Sequence, residues 1–231
     1  VERWARLTWQ TGDPARLAAR LGERLGVAPV PSVRATDGWD LWLGEELLEV
    51  VPWRPEQAGD DPVAEGRLVF EPIFPGDPGV AMAPPSVAEP GAELVAVIWA
   101  TVDLERAEAE LAPWLEPLEQ PQPPDADAAL VDEPHLGARG RVRTTRALPA
   151  GRIALMEPVT EGAIAASLAR DGEGPCGLYV RPATAPETAP ASAPDPGPRP
   201  RVGPFGPSVR VRMAAKAGPH LLLLAPGTIE P

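Results

Sequence analysis

The sequence is short of the side chains that most often carry out chemistry, with one cysteine, two histidines and one tyrosine in 231 residues. A single cysteine, Cys176, excludes an intramolecular disulfide and a thiolate metal cluster, so an oxidising compartment is not indicated and the cytoplasm is expected. Basic residues are few as well. Lys and Arg number 21 against 33 Asp and Glu, a net charge of −12. That is the wrong sign for neutralising a phosphate backbone, so nucleic acid is not an expected partner. Long hydrophobic runs are missing too: residues 221–226, like every other apolar run, are too few to cross a bilayer, and residues 1–10 hold no apolar stretch after a basic start. Neither a membrane partner nor a leader is expected from this. What is present is 44% hydrophobic residues in a chain long enough for one large or two small domains, hence a globular core.

Hydrophobic patterning divides the chain into similar units. In residues 4–11, Leu7, Trp9 and Thr11 alternate with Arg6, Thr8 and Gln10, as in a half-buried strand. Asp13-Pro14 then supplies an N-cap and a first helical residue for a helix whose Leu17, Leu21 and Leu25 form a stripe ending at Gly26. Asp37-Gly38 offers a turn into a strand at 39–43, and Gly44-Glu45 a second turn into a strand at 46–51. The order recurs from Glu93: a strand at 94–101, a helix capped by Asp103 and carrying Leu104, Ala107 and Leu111, then strands at 139–146 and 152–156. TGDPARLAARLGERL and TVDLERAEAELAPWL show the internal repeat directly. A third unit starts at 177–181, meets a Pro/Ala segment at 182–207 that lacks the periodic apolar residues needed to order it, and resumes at 208–213 and 220–225. That segment is expected as an exposed or mobile loop.

Residues 152–180, RIALMEPVTEGAIAASLARDGEGPCGLYV, read as strand, short helix with Ile164 and Leu168 on one face, glycine stop at Gly172, and strand. They resemble the vicinal oxygen chelate superfamily, especially its methylmalonyl-CoA epimerase-like members, in which "ELLEP", a helix ending "GEG" and "HHI" join two half-domains. LGEELLEVVP in the first unit is similar to the family's "LGETEIELLE". The resemblance implies an α+β fold of repeated βαβββ modules forming curled mixed sheets around a cleft. The boundaries it suggests are a first module at 1–75, a linker at 76–92, a second module with connecting helix at 93–176, and an incomplete third at 177–231.

In the metal-dependent members, one ligand stands early in a module's opening strand and one in its closing strand. The resemblance places Ala96, Gly177 and either Ala5 or Arg6 at the opening positions, and Glu49, Ala154 and Leu222 at the closing ones. A lone carboxylate holds no hard divalent ion tightly, so no metal and no other cofactor are expected.

Glu49 is nevertheless the leading catalytic candidate. Buried beside tryptophan it would serve as a general base next to a carbonyl; the plainer reading is a solvent-facing strand residue. Five of the seven tryptophans lie in the first unit. Trp9, Trp39, Trp42 and Trp99 are candidate ligand-stacking residues, although large side chains filling a small core explain them equally. Trp39 and Trp42 differ by three and face opposite sides of a strand. Arg141 and Arg143 alternate along one strand and Arg210 and Arg212 along another; they either hold an anionic group or simply solvate strand faces. His135 and His220 have no neighbouring ligand pattern and are expected on the surface or in loops, and Cys176 has no adjacent cation to lower its pKa.

Three functions fit these residues. One is a metal-independent protein binding a small aromatic or cationic organic ligand. Another is an isomerase or lyase acting on an α-acidic carbonyl compound, with Glu49 as base. The last is a non-catalytic dimerisation or assembly module, with a homodimer as its partner form.

Overall fold

A computed structural model describes residues 5–53, 66–72, 91–115, 130–145, 148, 151–183, 199–211 and 218–225. The first βαβββ unit consists of strand β1 (Ala5–Thr11), helix α1 (Pro14–Leu25), and strands β2 (Val30–Pro31), β3 (Trp39–Leu43) and β4 (Glu46–Pro52). The local reasons are those expected. Asp13 accepts a hydrogen bond from the Arg16 N–H at 3.1 Å, Pro14 opens α1, and Leu21 and Leu25 are buried. Gly44, at φ 67°, makes the two-residue turn that pairs Leu43 with Glu46, a backbone conformation glycine adopts freely.

The second unit is β6 (Ala92–Ala100), α2 (Leu104–Leu111), β7 (Val131–Glu133), β8 (Ala138–Thr144) and β9 (Arg152–Pro158). The third is β10 (Gly174–Pro182), β11 (Arg201–Gly203), β12 (Gly206–Val211) and β13 (His220–Leu224). In each unit the last strand lies parallel to the first: β4 to β1, β9 to β6, β13 to β10. Two further elements connect units: β5 (Arg67–Pro72) and helix α3 (Ala163–Asp171).

The units combine into two sheets. Antiparallel pairing of β6 with β10 fuses the second and third into an eight-stranded sheet, β11-β12-β13-β10-β6-β9-β8-β7. The first unit stands in a five-stranded sheet, β2-β3-β4-β1-β5, in which β5 pairs antiparallel with β1 as β10 does with β6. The larger sheet curls until its end strands β7 and β11 meet, where Arg201 Nη1 donates to the Pro134 carbonyl at 2.6 Å. This is the α+β architecture of curled mixed sheets that the sequence implied.

Alternation along the strands sorts side chains into two cores. One unites α1, α2 and the facing sides of both sheets, through Leu7, Trp9, Leu41, Leu48, Val97 and Leu155. The other fills the concave side of the eight-stranded sheet. Among the described residues no helix is long and apolar enough to cross a membrane.

The Pro-rich segment differs from the expected loop over its described end. Residues 201–211 form the β11–β12 hairpin, because Phe205 at its tip buries itself edge-on against Tyr179, ring centroids 4.8 Å apart. One aromatic anchor supplies the apolar burial that the composition appeared to lack. Residues 184–198, like most of the expected linker at 76–92, lie outside the described residues.

Candidate functional site

Strand register fixes which residues are equivalent between units. Glu49 pairs with Thr8, Ala154 with Ile98 and Leu222 with Tyr179. Two residues earlier on the opening strands stand Arg6, Ala96 and Gly177, which decides between Ala5 and Arg6. The family's ligand positions in the second and third units are therefore all on the concave side of the larger sheet, and none carries a donor. Ala96, Ala154 and Leu222 are fully buried. A Cβ on Gly177 would come within 2.6 Å of the His220 carbonyl oxygen, so no side chain fits there without backbone movement.

This cleft is packed rather than open. Helix α3 inserts Ile164 among Ala96, Ile98, Ala154 and Met156, with Leu136 and Phe205 completing the filling. Several of its polar groups are satisfied by one another, although Ser208 Oγ on β12 has no hydrogen-bond partner. Glu133, fully buried, accepts hydrogen bonds from the Tyr179 hydroxyl and from the His135 N–H at 2.9 Å. Burial and the adjacent carboxylate push the Tyr179 hydroxyl far above its ordinary pKa. His220 is a buried residue, contrary to the surface position expected, because it opens β13 underneath α3.

Ser167 Oγ lies 3.0 Å from His220 Nε2, a spacing met in nucleophilic serine sites. The other ring nitrogen decides its meaning. Nδ1 faces Arg210 Nη2 at 3.1 Å, and a guanidinium only donates, so Nδ1 accepts and Nε2 carries the proton. Nε2 therefore donates to Ser167 and has no lone pair with which to activate it. Burial, reinforced by Arg210, lowers the His220 pKa to about 4, keeping the ring neutral. Cys176 is equally inert, its thiol pushed up to about 12 by burial.

The corresponding face of the five-stranded sheet has the opposite character. Glu49, 3% exposed, accepts a hydrogen bond from Arg34 Nη1 at 3.3 Å and forms an ion pair with Arg6, whose Nε lies 3.3 Å away but makes no hydrogen bond. Arg6 also approaches Glu71 at 3.9 Å. Directly across from Glu49 on β3 is Asp40, 1% exposed, with Trp42 two residues on along the same face. Burial raises the Glu49 pKa; Arg6 and Arg34 pull it back and Asp40 adds to the rise. Burial also raises that of Asp40, opposed by a hydrogen bond from Ser32 and by the charge of Arg34. Two buried acceptors on this face, Asp40 Oδ1 and Thr8 Oγ1, have no hydrogen-bond partner, an arrangement that costs roughly 1–3 kcal/mol per group.

The residues present do not fit a divalent metal of the family type. Where the resemblance implies two ligands in the first unit, the chain has Arg6 against Glu49, a fixed cation in a ligand's place. Among the described residues no three His, Cys, Asp or Glu side chains converge as a metal site.

The other sequence candidates are dispersed. Trp9 is buried in the helix-side core, and Trp39 and Trp99 pack against it, Trp99 edge-on to Phe70 at 6.3 Å. Trp42 alone of the four shares the face of Glu49. Arg141 and Arg143 both bind Glu108 of α2, at 3.1 and 2.7 Å, on the convex side. Strands β8 and β12 are separated by four others, and Arg210 turns to the concave side, so these arginines form no common patch. Arg212 is outside the described residues. A surface groove of about 490 Å³ beside Trp39, between the start of α1 and the 31–38 loop, is lined by no arginine, lysine, histidine or cysteine.

Asp40, Thr8 and Arg34 were not singled out from the sequence, and Arg6 was named only as one of two residues at the first opening position, although a signal for Asp40 existed. A two-residue turn at Gly44-Glu45 pairs residues whose numbers sum to 89, which sets Asp40 against Glu49. Arg34 gave no such signal, since it reaches the sheet from a loop.

No family model matches the sequence, and no curated protein matches it significantly. Solved structures do share its shape. A variant of 4-hydroxymandelate synthase from Streptomyces coelicolor superposes with a TM-score of 0.50 at 13% identity, over 78% of this chain and 71% of that one. Methylmalonyl-CoA epimerase from Mycobacterium tuberculosis gives 0.40 at 19% identity, over 58% and 87%. A halotolerant catechol dioxygenase gives 0.41 at 10% identity, over 96% and 86%. These neighbours are vicinal oxygen chelate proteins, and the repeated βαβββ units with parallel closing strands give this chain the vicinal oxygen chelate fold.

Proposed function

We propose that the chain is a metal-independent binding protein that takes a small aromatic or cationic organic ligand on the face of the five-stranded sheet carrying Glu49, Asp40, Thr8 and Trp42. One observation carries this reading: Asp40 Oδ1 and Thr8 Oγ1 are buried acceptors without partners, side by side with a tryptophan. A ligand ammonium group gives both acceptors a donor, and its aromatic portion suits Trp42. The eight-stranded sheet serves as scaffold, its cleft already filled. Calorimetric titration with phenethylamine and with phenethyl alcohol tests the reading. The amine is expected to bind at least about tenfold more tightly, and Asp40→Asn to remove that preference. Equal affinity, or no binding of either, would sink it.

A second reading keeps Glu49 as the base of an isomerase or lyase. What favours it is the pair of guanidiniums beside Glu49, which supply the positive charge an enolate-like transition state requires. Its test is deuterium uptake from D2O at the α-carbon of a methylmalonyl thioester. Uptake no faster than the uncatalysed background, or equally fast in Glu49→Gln, removes this reading.

A further inference from the structure

The internal repeat builds two helix starts of one design. In TGDPAR at α1 and TVDLER at α2 the aspartate caps its helix by accepting an arginine N–H, Asp13 from Arg16 at 3.1 Å and Asp103 from Arg106 at 3.0 Å. In both, the threonine hydroxyl accepts the aspartate N–H, at 3.4 Å in the first unit and 3.1 Å in the second. At α2 this frame holds a carboxylate. Glu173, from the turn between α3 and β10, accepts the Val102 N–H at 2.6 Å and the Thr101 hydroxyl at 2.9 Å through one oxygen, and Arg106 Nη2 through the other. These bonds, led by the one from Val102, lower the Glu173 pKa from its ordinary 4.5, so the frame favours a negative charge.

At α1 no described residue takes the place of Glu173. Among the described residues the Gly12 N–H, equivalent to that of Val102, has no acceptor, and exposed Arg16 has no ion pair. A Cβ on Gly12 would meet nothing within 4 Å. Gly12 and Asp13 instead border the groove of about 490 Å³ that Pro31, Ala35, Asp37 and half-buried Trp39 also line. A volume of that order takes a small molecule. We infer that the start of α1 is a second carboxylate site, open to solution, in which the Gly12 N–H, the Thr11 hydroxyl and Arg16 receive the carboxylate of a small organic acid whose apolar body lies in the groove against Trp39 and Pro31. The positive end of α1 adds to the attraction. Asp13 is no obstacle, since Asp103 stands in the same relation to the Glu173 carboxylate. Asp37 is exposed, where water and salt screen its charge. None of the three binding groups belongs to the Glu49 face, so the two sites stand or fall separately.

Hydrocinnamate and hydrocinnamamide share a ring and a chain and differ in the charge of the head group. Titrated at pH 7 into the isotopically labelled protein, hydrocinnamate is expected to shift the amides of residues 11–16 and 31–39 saturably, with the Gly12 amide moving downfield as it gains an acceptor. Its affinity should exceed that of the amide at least about tenfold. In Arg16→Gln hydrocinnamate should weaken about fivefold, whereas Arg20→Gln, one turn further along α1, should stay within about twofold of wild type. Equal affinity for the amide, shifts concentrated away from residues 11–16, or no binding of hydrocinnamate overturns the site. So does an equal loss in the two variants, which would mean that overall charge and not the helix start holds the acid. The comparison of the two probes on the wild-type protein decides the question even if a variant fails to fold.

Discussion

Glu49 and Ala154 hold the same place in successive units, each on a closing strand parallel to its opening strand and facing away from the helix-side core. Around Glu49 the chain places two arginines, a second buried acid and two acceptors without partners. Around Ala154 it places Ile98, Met156 and Ile164. One scaffold has thus been finished in two ways, a polar face that keeps unsatisfied groups and a cleft packed to the density of a core. Unpartnered buried polar atoms weaken a fold; Asp40 Oδ1 and Thr8 Oγ1 stand on the face that we propose binds a ligand, and Ser208 Oγ on the packed side.

The largest effect should come from making the packed cleft resemble the polar face. Ala154→Glu would bury a carboxylate between Ile98 and Val142, its partners on the neighbouring strands, with no guanidinium opposite. We expect a loss of about 4 kcal/mol or more in urea denaturation, and a loss below about 1 kcal/mol would mean that the cleft is open to water. Ile164→Ala, which unplugs α3, should cost about 2–4 kcal/mol by the same measurement; a near-neutral result would show that α3 does not fill the cleft.

Smaller effects probe charge. Glu173 lies outside both faces and accepts the Val102 N–H at 2.6 Å and the Thr101 hydroxyl at 2.9 Å, beside Arg106 at the start of α2. The bond from Val102 leads the causes that lower its pKa below the ordinary 4.5. A depressed acid stabilises above its unfolded pKa and loses that contribution as pH falls through the folded value. Glu173→Gln should cost about 1 kcal/mol at pH 7, with the difference from wild type shrinking once pH falls below 4.5 and gone only below the lower folded value. Asp40 should behave with the opposite sign. Its pKa is raised by burial from 3.8, so its penalty is full above the folded pKa and absent below the unfolded one. Asp40→Asn is expected to stabilise by about 0.5 kcal/mol at neutral pH, the gain fading as pH approaches 3.8. Destabilisation by Asn would mean that Asp40 is already fully paired.

Much of this was legible in the chain. The repeat of threonine, aspartate and an apolar stripe located α1 and α2, and alternation in residues 6–11 separated Arg6 and Thr8 from Leu7 and Trp9. The motif at 152–180 pointed to the fold and also to the missing donors at Ala154 and Gly177. Other features depend on tertiary contact and left no local trace. Proline-rich composition masked the burial of Phe205, and the face of α3 that meets the concave sheet follows from where β9 and β10 put its ends. Tryptophan count suggested a groove, whereas three of the four candidate tryptophans serve the helix-side core. Composition counts side chains without assigning them to a face, and it is the face that separates a filler from a ligand contact.

The most direct test is to map amide chemical-shift changes by NMR as phenethylamine is titrated into the isotopically labelled protein. Changes concentrated at residues 6–10, 32–42 and 47–51 are predicted. Changes concentrated instead at 96–100, 154–156, 177–180 and 220–224 would place the ligand in the cleft of the eight-stranded sheet and contradict the account.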